Sequence, residues 1–167
     1  MAAQPPPVRD TCVDDFVGKL ALITQPNGYL YTVRKVYRTD RPLATLPDYS
    51  LKLVQRVERA VQISAGKIDW ETILNVAGIM PVPSNGGDPD GIAANMMAEI
   101  IRAAGYQHTV SVTPDGAPDS ATTVQGSYFV EVRGTAMNVT KAIRNKTVCQ
   151  VDFSMHYTTS RLDPRRV

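Results

Sequence analysis

The residues that could do chemistry in this chain are few and scattered. Its 167 residues include two histidines, His108 and His156, and two cysteines, Cys12 and Cys149. A catalytic base is most often a histidine held by a partner of matching chemistry. Neither histidine has such a partner at a recognisable spacing. His156 falls on the polar side of an alternating stretch, which suits a solvated or interface imidazole better than a base. No G-x-S-x-G elbow, P-loop, CxxC pair or HExxH motif is present. The stretch SNGGDPDG at 84–91 has the look of a glycine-rich phosphate loop entering a helix, where the free N–H groups favour anions. Asp88 and Asp90 already put negative charge there, so it reads as a helix cap on a flexible loop. Asp88-x-Asp90-Gly91 is also a fragment of a calcium loop, but the downstream bidentate glutamate is missing. No catalytic, cofactor or metal site follows from these residues, and the expectation is a protein that binds and does not catalyse.

Binding would fall to the charged and polar clusters. Arg38, Asp40 and Arg41 open the loop TDRPLATLPDYS, stiffened by Pro42 and Pro47. Gln150, Asp152, Ser154 and His156 share one face of an alternating segment. Arg161, Arg165 and Arg166 form a basic tail. Each group reads as a protein–protein contact or as solvated surface. Asp14 and Asp15 are expected on the outer, solvated face of a helix. A net charge of +2 is too small to argue for nucleic acid. Tyr29, Tyr31 and Tyr37, beside Arg34 and Lys35, are the nearest thing to a base-stacking platform, and they are not adjacent on one face. Widely spaced cysteines suit a reducing cytosol. The N-terminus lacks the apolar core of a signal peptide, and no apolar run is long enough to span a membrane.

The elements that must position these groups come from periodicity. Residues 1–10 read as a proline-rich arm, 11–160 as one domain, and 161–167 as the basic tail. Asp10 or Thr11 would cap a helix whose Val13, Phe16, Val17 and Leu20 share a face. Pro26-Asn27-Gly28 is a turn signal. Tyr29 to Arg38 and Tyr49 to Arg59 read as strands, with a turn at Ala65-Gly66. KIDWETILNVAGIMP, residues 67–81, reads as an inner strand. Trp70, Thr72, Leu74 and Val76 lie on one side, and Glu71, Ile73 and Asn75 on the other. Gly78 suggests a bend or bulge, and Pro81 ends the ladder. Asp88 as N-cap and Pro89 at N1 open a helix. Its stripe is Ile92, Met96, Ile100 and Ala104, widened by Met97 and Ile101, and Gly105 closes it. Trp70 is expected in the core near Met96 and Ile100. Residues 107–126 read as a long polar excursion with a short strand at Thr109 to Val112, and Ser127 to Arg133 as a strand. Residues 134–147 fit a short helix or a hairpin. VCQVDFSMHYTT alternates throughout, with Cys149, Val151, Phe153, Met155 and Tyr157 facing the core. The whole is an α+β fold: a mainly antiparallel or mixed sheet with two main helices packed on one face.

The order of these elements resembles the tail terminator proteins of long-tailed bacteriophages. The resemblance runs from about residue 11 to residue 166, through four stretches. They are the N-terminal helix running into ITQPNGYLYTVRKVYR; RPLATLPDYSLKLV; DWETILNVAGIMPVP with its capped helix DPDGIAANMMAEIIRAA; and a last strand ending in YTTSRLDPRR. The polar segment 107–126 is the part that aligns least. The resemblance implies a structural virion subunit, made in the host cytoplasm, that forms a homo-hexameric ring on the head-proximal end of the tail tube. Such a ring stops tube polymerisation and meets the tail tube protein on one side and the head-completion (stopper) protein on the other. DNA would pass through its lumen without sequence-specific contact. No cofactor and no membrane enter this picture. Another ring of the neck, a head-completion or adaptor protein, would have similar size and composition. A small nucleic-acid or ligand-binding domain is the reading from a different class.

Overall fold

The computed structural model describes residues 8–39, 41–84, 87–112, 124–137 and 145–162. Two helices, α1 (Val8–Ala21) and α2 (Pro89–Ala104), pack on one face of a six-stranded sheet. The strands are β1 (Lys35–Arg38), β2 (Ser50–Ile63), β3 (Lys67–Pro81), β4 (Gln107–Val112), β5 (Val124–Met137) and β6 (Lys146–Ser160), in the order β1-β2-β3-β6-β5-β4. β1 runs parallel to β2 and every other pair is antiparallel. The sheet is therefore mixed, and the fold is α+β as expected.

Strict alternation places β6 in the middle. Cys149, Val151, Phe153, Met155 and Tyr157 all point under the helices and are buried. They meet Leu74, Val76 and the glycine of β3 from one side, and Tyr128 and Val130 of β5 from the other. From α1, Val8, Cys12, Val13, Phe16 and Leu20 complete this core. The Phe16 ring meets Phe153 edge-on at 5.4 Å, a favoured aromatic geometry. From α2 come Ala93, Met96, Ile100 and Ala104. The α2 cap is as expected, with the Asp88 side chain accepting from Asp90 N at 3.1 Å and Gly105 at positive φ. Ile101 does not widen the stripe and is exposed.

Several expectations change. Only Lys35–Arg38 of the expected strand 29–38 is strand. Of the preceding residues, Tyr29 and Leu30 are drawn to α2 instead. Leu30 N donates to Glu99 of α2 at 3.2 Å, and the Arg102 guanidinium lies 3.9 Å from the Tyr29 ring centre. Helix α1 starts at Val8, which is buried, so Asp10 lies in its first turn and pairs with Arg9 at 2.9 Å. Gly78 makes no bulge: it pairs in register with Leu51 and Cys149. Glycine fits closely there: a Cβ would lie 3.0 Å from Cys149 Sγ and 3.1 Å from Met96 Cγ, so those side chains would have to give way. Strand β4 starts two residues early, and β5 is longer than expected at both ends. Within 134–147, Gly134–Met137 extends β5 and Lys146 opens β6; 138–144, like 113–123 of the polar excursion, lies outside the described residues.

Trp70 is not under α2. Met96 touches β3 at Gly78, eight positions away, or about 27 Å at ~3.4 Å per residue. Trp70 still packs on the main core, half-buried opposite Tyr157, with its Nε1 donating to Thr159 Oγ1 at 2.9 Å.

Candidate functional site

The face of the sheet away from the helices carries the polar parity of β3, β5 and β6. Its near end is closed by a small apolar group, Leu46, Ile79 and Val148, with Tyr37 and Leu43 packed on it. Beyond that group the face is polar. Antiparallel register sets Glu71 opposite His156, Ile73 opposite Ser154, and Asn75 opposite Asp152. Phe129 lies opposite His156 from the other side, and Arg59 opposite Glu71.

Glu71 is the hub. Its Oε1 accepts from Ser154 Oγ at 2.5 Å and from Arg133 at 3.2 Å, and its Oε2 accepts from Arg59 Nε at 2.6 Å. Glu71 is 5% exposed. The Ser154 hydroxyl first, then the Arg59 and Arg133 guanidinium groups, hold its carboxyl below the usual value against the opposing effect of burial. The His156 ring lies flat on Phe129, with centroids 4.5 Å apart, and its Nε2 is 2.9 Å from Ser154 Oγ. One step along, Asp152 accepts from Asn75 at 2.6 Å and from Gln150 at 3.4 Å.

Ser154, His156 and Glu71 are the residue types of a hydrolytic triad, but they are connected differently. A triad carboxylate holds the imidazole nitrogen remote from the serine, so that the other nitrogen can take the hydroxyl proton. Here the serine proton goes to the carboxylate itself, and Glu71 Oε1 is 4.0 Å from the same Nε2 that faces the serine. The imidazole is then the donor to the serine oxygen. Ser154 is also 2% exposed, so its oxygen is not presented to a substrate. The geometry builds a rigid, self-satisfied polar surface. Toward the hairpin end this face dips into an open groove of about 240 Å³ lined by Gln62, Asp69, Trp70, Phe129, His156 and Thr158. Among the described residues, no three His, Cys, Asp or Glu side chains converge as a metal site, and no helix is long and apolar enough to cross a membrane.

The predicted site residues therefore divide. Gln150, Asp152, Ser154 and His156 lie together on this face, bound to their neighbours and not freely solvated. Arg38 sits at the sheet edge, where it pairs with Asp14. In the adjoining loop, Arg41 N donates to Thr39 Oγ1 and its carbonyl accepts from Lys52 Nζ at 2.7 Å. Arg161 is at the hairpin end, its N–H donating to Gly66 O at 3.0 Å. These three groups do not converge. Asp40, Arg165 and Arg166 lie outside the described residues. Asp15, expected to be solvated, accepts from the buried Tyr128 hydroxyl at 2.7 Å. Glu71, Arg59, Arg133 and Phe129 were missed. Their only signal is the polar parity of β3, and it becomes a site only once register sets Glu71 beside His156.

No protein-family model matches this chain, and no curated protein matches it either.

Proposed function

We propose that this chain is a structural subunit of a phage tail, a terminator that assembles as a homo-hexameric ring on the head-proximal end of the tail tube. In that place it ends tube polymerisation and joins the tail to the head-completion protein. The observation that carries this reading is the element order, with both helices gathered on one face of a mixed sheet, while among the described residues no helix lies on the other face and parts of two strand edges have no strand partner. A polar sheet face without a helix on it and partly unpaired edges give surface for neighbours on several sides, as a ring subunit between two other rings requires. The polar network around Glu71 fits the same role, because it ties β2, β3, β5 and β6 together on this face without an accessible nucleophile.

Negative-stain imaging of the purified protein, alone and mixed with tail tubes of its phage, tests the reading. Rings, or a cap at one end of each tube, are expected. Tubes that stay uncapped and keep growing in its presence would overturn it.

A further inference from the structure

The two lateral borders of the sheet are each half covered. On one side β1 pairs only with Ser50–Leu53 of β2, so the outer edge of Val54–Ile63 has no strand partner among the described residues. On the other side β4 pairs with β5 only as far as Phe129, and Tyr106 O takes Val130 N at 2.8 Å. The outer edge of Glu131–Met137 is likewise without a strand partner among the described residues. Both stretches carry exposed apolar side chains: Val57, Val61 and Ile63 on β2, Val132 and Met137 on β5. An uncovered edge with apolar side chains is a template for another strand.

The occupant follows from direction and position. Within one sheet β2 and β5 run in opposite directions. A second copy placed alongside, with its helices on the same face, would therefore lay its β5 antiparallel to the first copy's β2. The covered halves do not obstruct this. β1 guards the near end of one border and β4 the hairpin end of the other, so a neighbour slid toward the hairpin end clears both.

The slide can be measured along one row of the sheet. Gly134 pairs with Asp152, Asp152 with Asn75, and Asn75 with Val54, so the middle of the open β5 edge is level with the start of the open β2 edge. Because β2 is irregular at Gln55/Val57 and Ala60/Gln62, its open stretch spans fewer rows than residues, and matching the middles of the two open stretches takes a shift of roughly four rows, about 13 Å at ~3.3 Å per residue. A constant stagger between neighbouring strands is what a closing barrel of tilted strands requires. Where β1 stops, a groove of about 200 Å³ lined by Arg38, Thr39, Leu53, Val54 and Gln55 lies beside the start of the open β2 edge. That groove has room for the end of an incoming strand.

We infer that copies of this chain join head to tail through their sheets, the Val54–Ile63 edge of one pairing antiparallel with the Glu131–Met137 edge of the next. This edge pairing rests on the ring reading above, and it names which surfaces make the ring. A chain carrying Val61→Cys together with Val132→Cys tests it with a short bismaleimide whose span covers the neighbouring registers. The native Cys12 and Cys149 are fully buried and do not compete. The expected result is a ladder of cross-linked oligomers from the double variant, with each single variant staying monomeric. Adding Val57→Lys to the double variant should abolish the ladder with no change in unfolding midpoint, since Val57 is exposed. Monomer only from the double variant, or dimers from Val61→Cys alone, would overturn the head-to-tail edge. A ladder with tubes left uncapped keeps the edge and removes the terminator reading. Capped tubes without a ladder do the reverse.

Discussion

Phe153 and Ser154 are adjacent in the chain and lie on opposite faces of the same central strand, and different forces hold them. Phe153 meets Phe16 of α1 and lies opposite Leu74 of β3 under the helices, where its contribution is area removed from water and close contact. Ser154 is as deeply buried with no helix above it, covered by the side chains of Glu71 and His156. On that face burial is achieved by polar groups satisfying one another, which adds little net stability per bond but makes the loss of any one partner costly. The helix face makes the fold stable. The other face is held by a polar network whose members satisfy one another.

Substitution at these two neighbours should separate the mechanisms most widely. Phe153→Ala is expected to cost about 3–5 kcal/mol by transfer and cavity effects, and Ser154→Ala about 1–3 kcal/mol because it leaves the Glu71 carboxylate and His156 short of a partner, both read from urea unfolding. Equal losses would mean that the open face contributes as a packed core and not as a hydrogen-bonded network.

Glu71→Gln is the next in size, at about 1–3 kcal/mol, because two guanidinium groups lose their counter-charge while the shape is kept. It also has a pH signature. The folded carboxyl titrates below the ordinary 4.5, so its stabilisation is fully present above that value and is lost as pH falls through the folded value. The acid limb of a stability–pH profile should therefore be shallower in Glu71→Gln than in the parent chain. Parallel acid limbs would show that the carboxylate's partners do not stabilise its charge.

The smallest effect sharpens the comparison from the covered side. Burial pushes both thiols up to about 12, so neither Cys12 nor Cys149 should react with a disulfide reagent at pH 8 in the folded chain. Both should react on unfolding in urea. Native-state reaction of either one would mean that the helical layer opens locally at little cost.

Much of the covered face could be read from sequence. The stripe Met96, Ile100 and Ala104, the Asp88-Pro89 cap and the faultless alternation from Cys149 to Tyr157 are local patterns, and each lies where its period put it. Strand 29–38 was misread, and Trp70, although packed on the core as expected, lies at the other end of β3 from Met96. Tyrosine- and valine-rich composition reports β-propensity, but Tyr29 and Leu30 were claimed by Arg102 and Glu99 of a helix about seventy residues on. Aromatic bulk likewise predicts burial without saying which end of a strand the helices reach.

Composition and periodicity by themselves determined the class of fold, the two helices, the central strand and which side of it is apolar, because those depend on spacings of a few residues. Strand order, register and the extent of each pairing were decided only by the tertiary structure. They depend on contacts such as Glu71 with His156, 85 positions apart, and on where β1 and β4 stop short of their neighbours' ends. Local patterns do not encode which distant strand becomes the neighbour, so the Glu71 hub and the two half-open edges came into view only once the sheet was assembled.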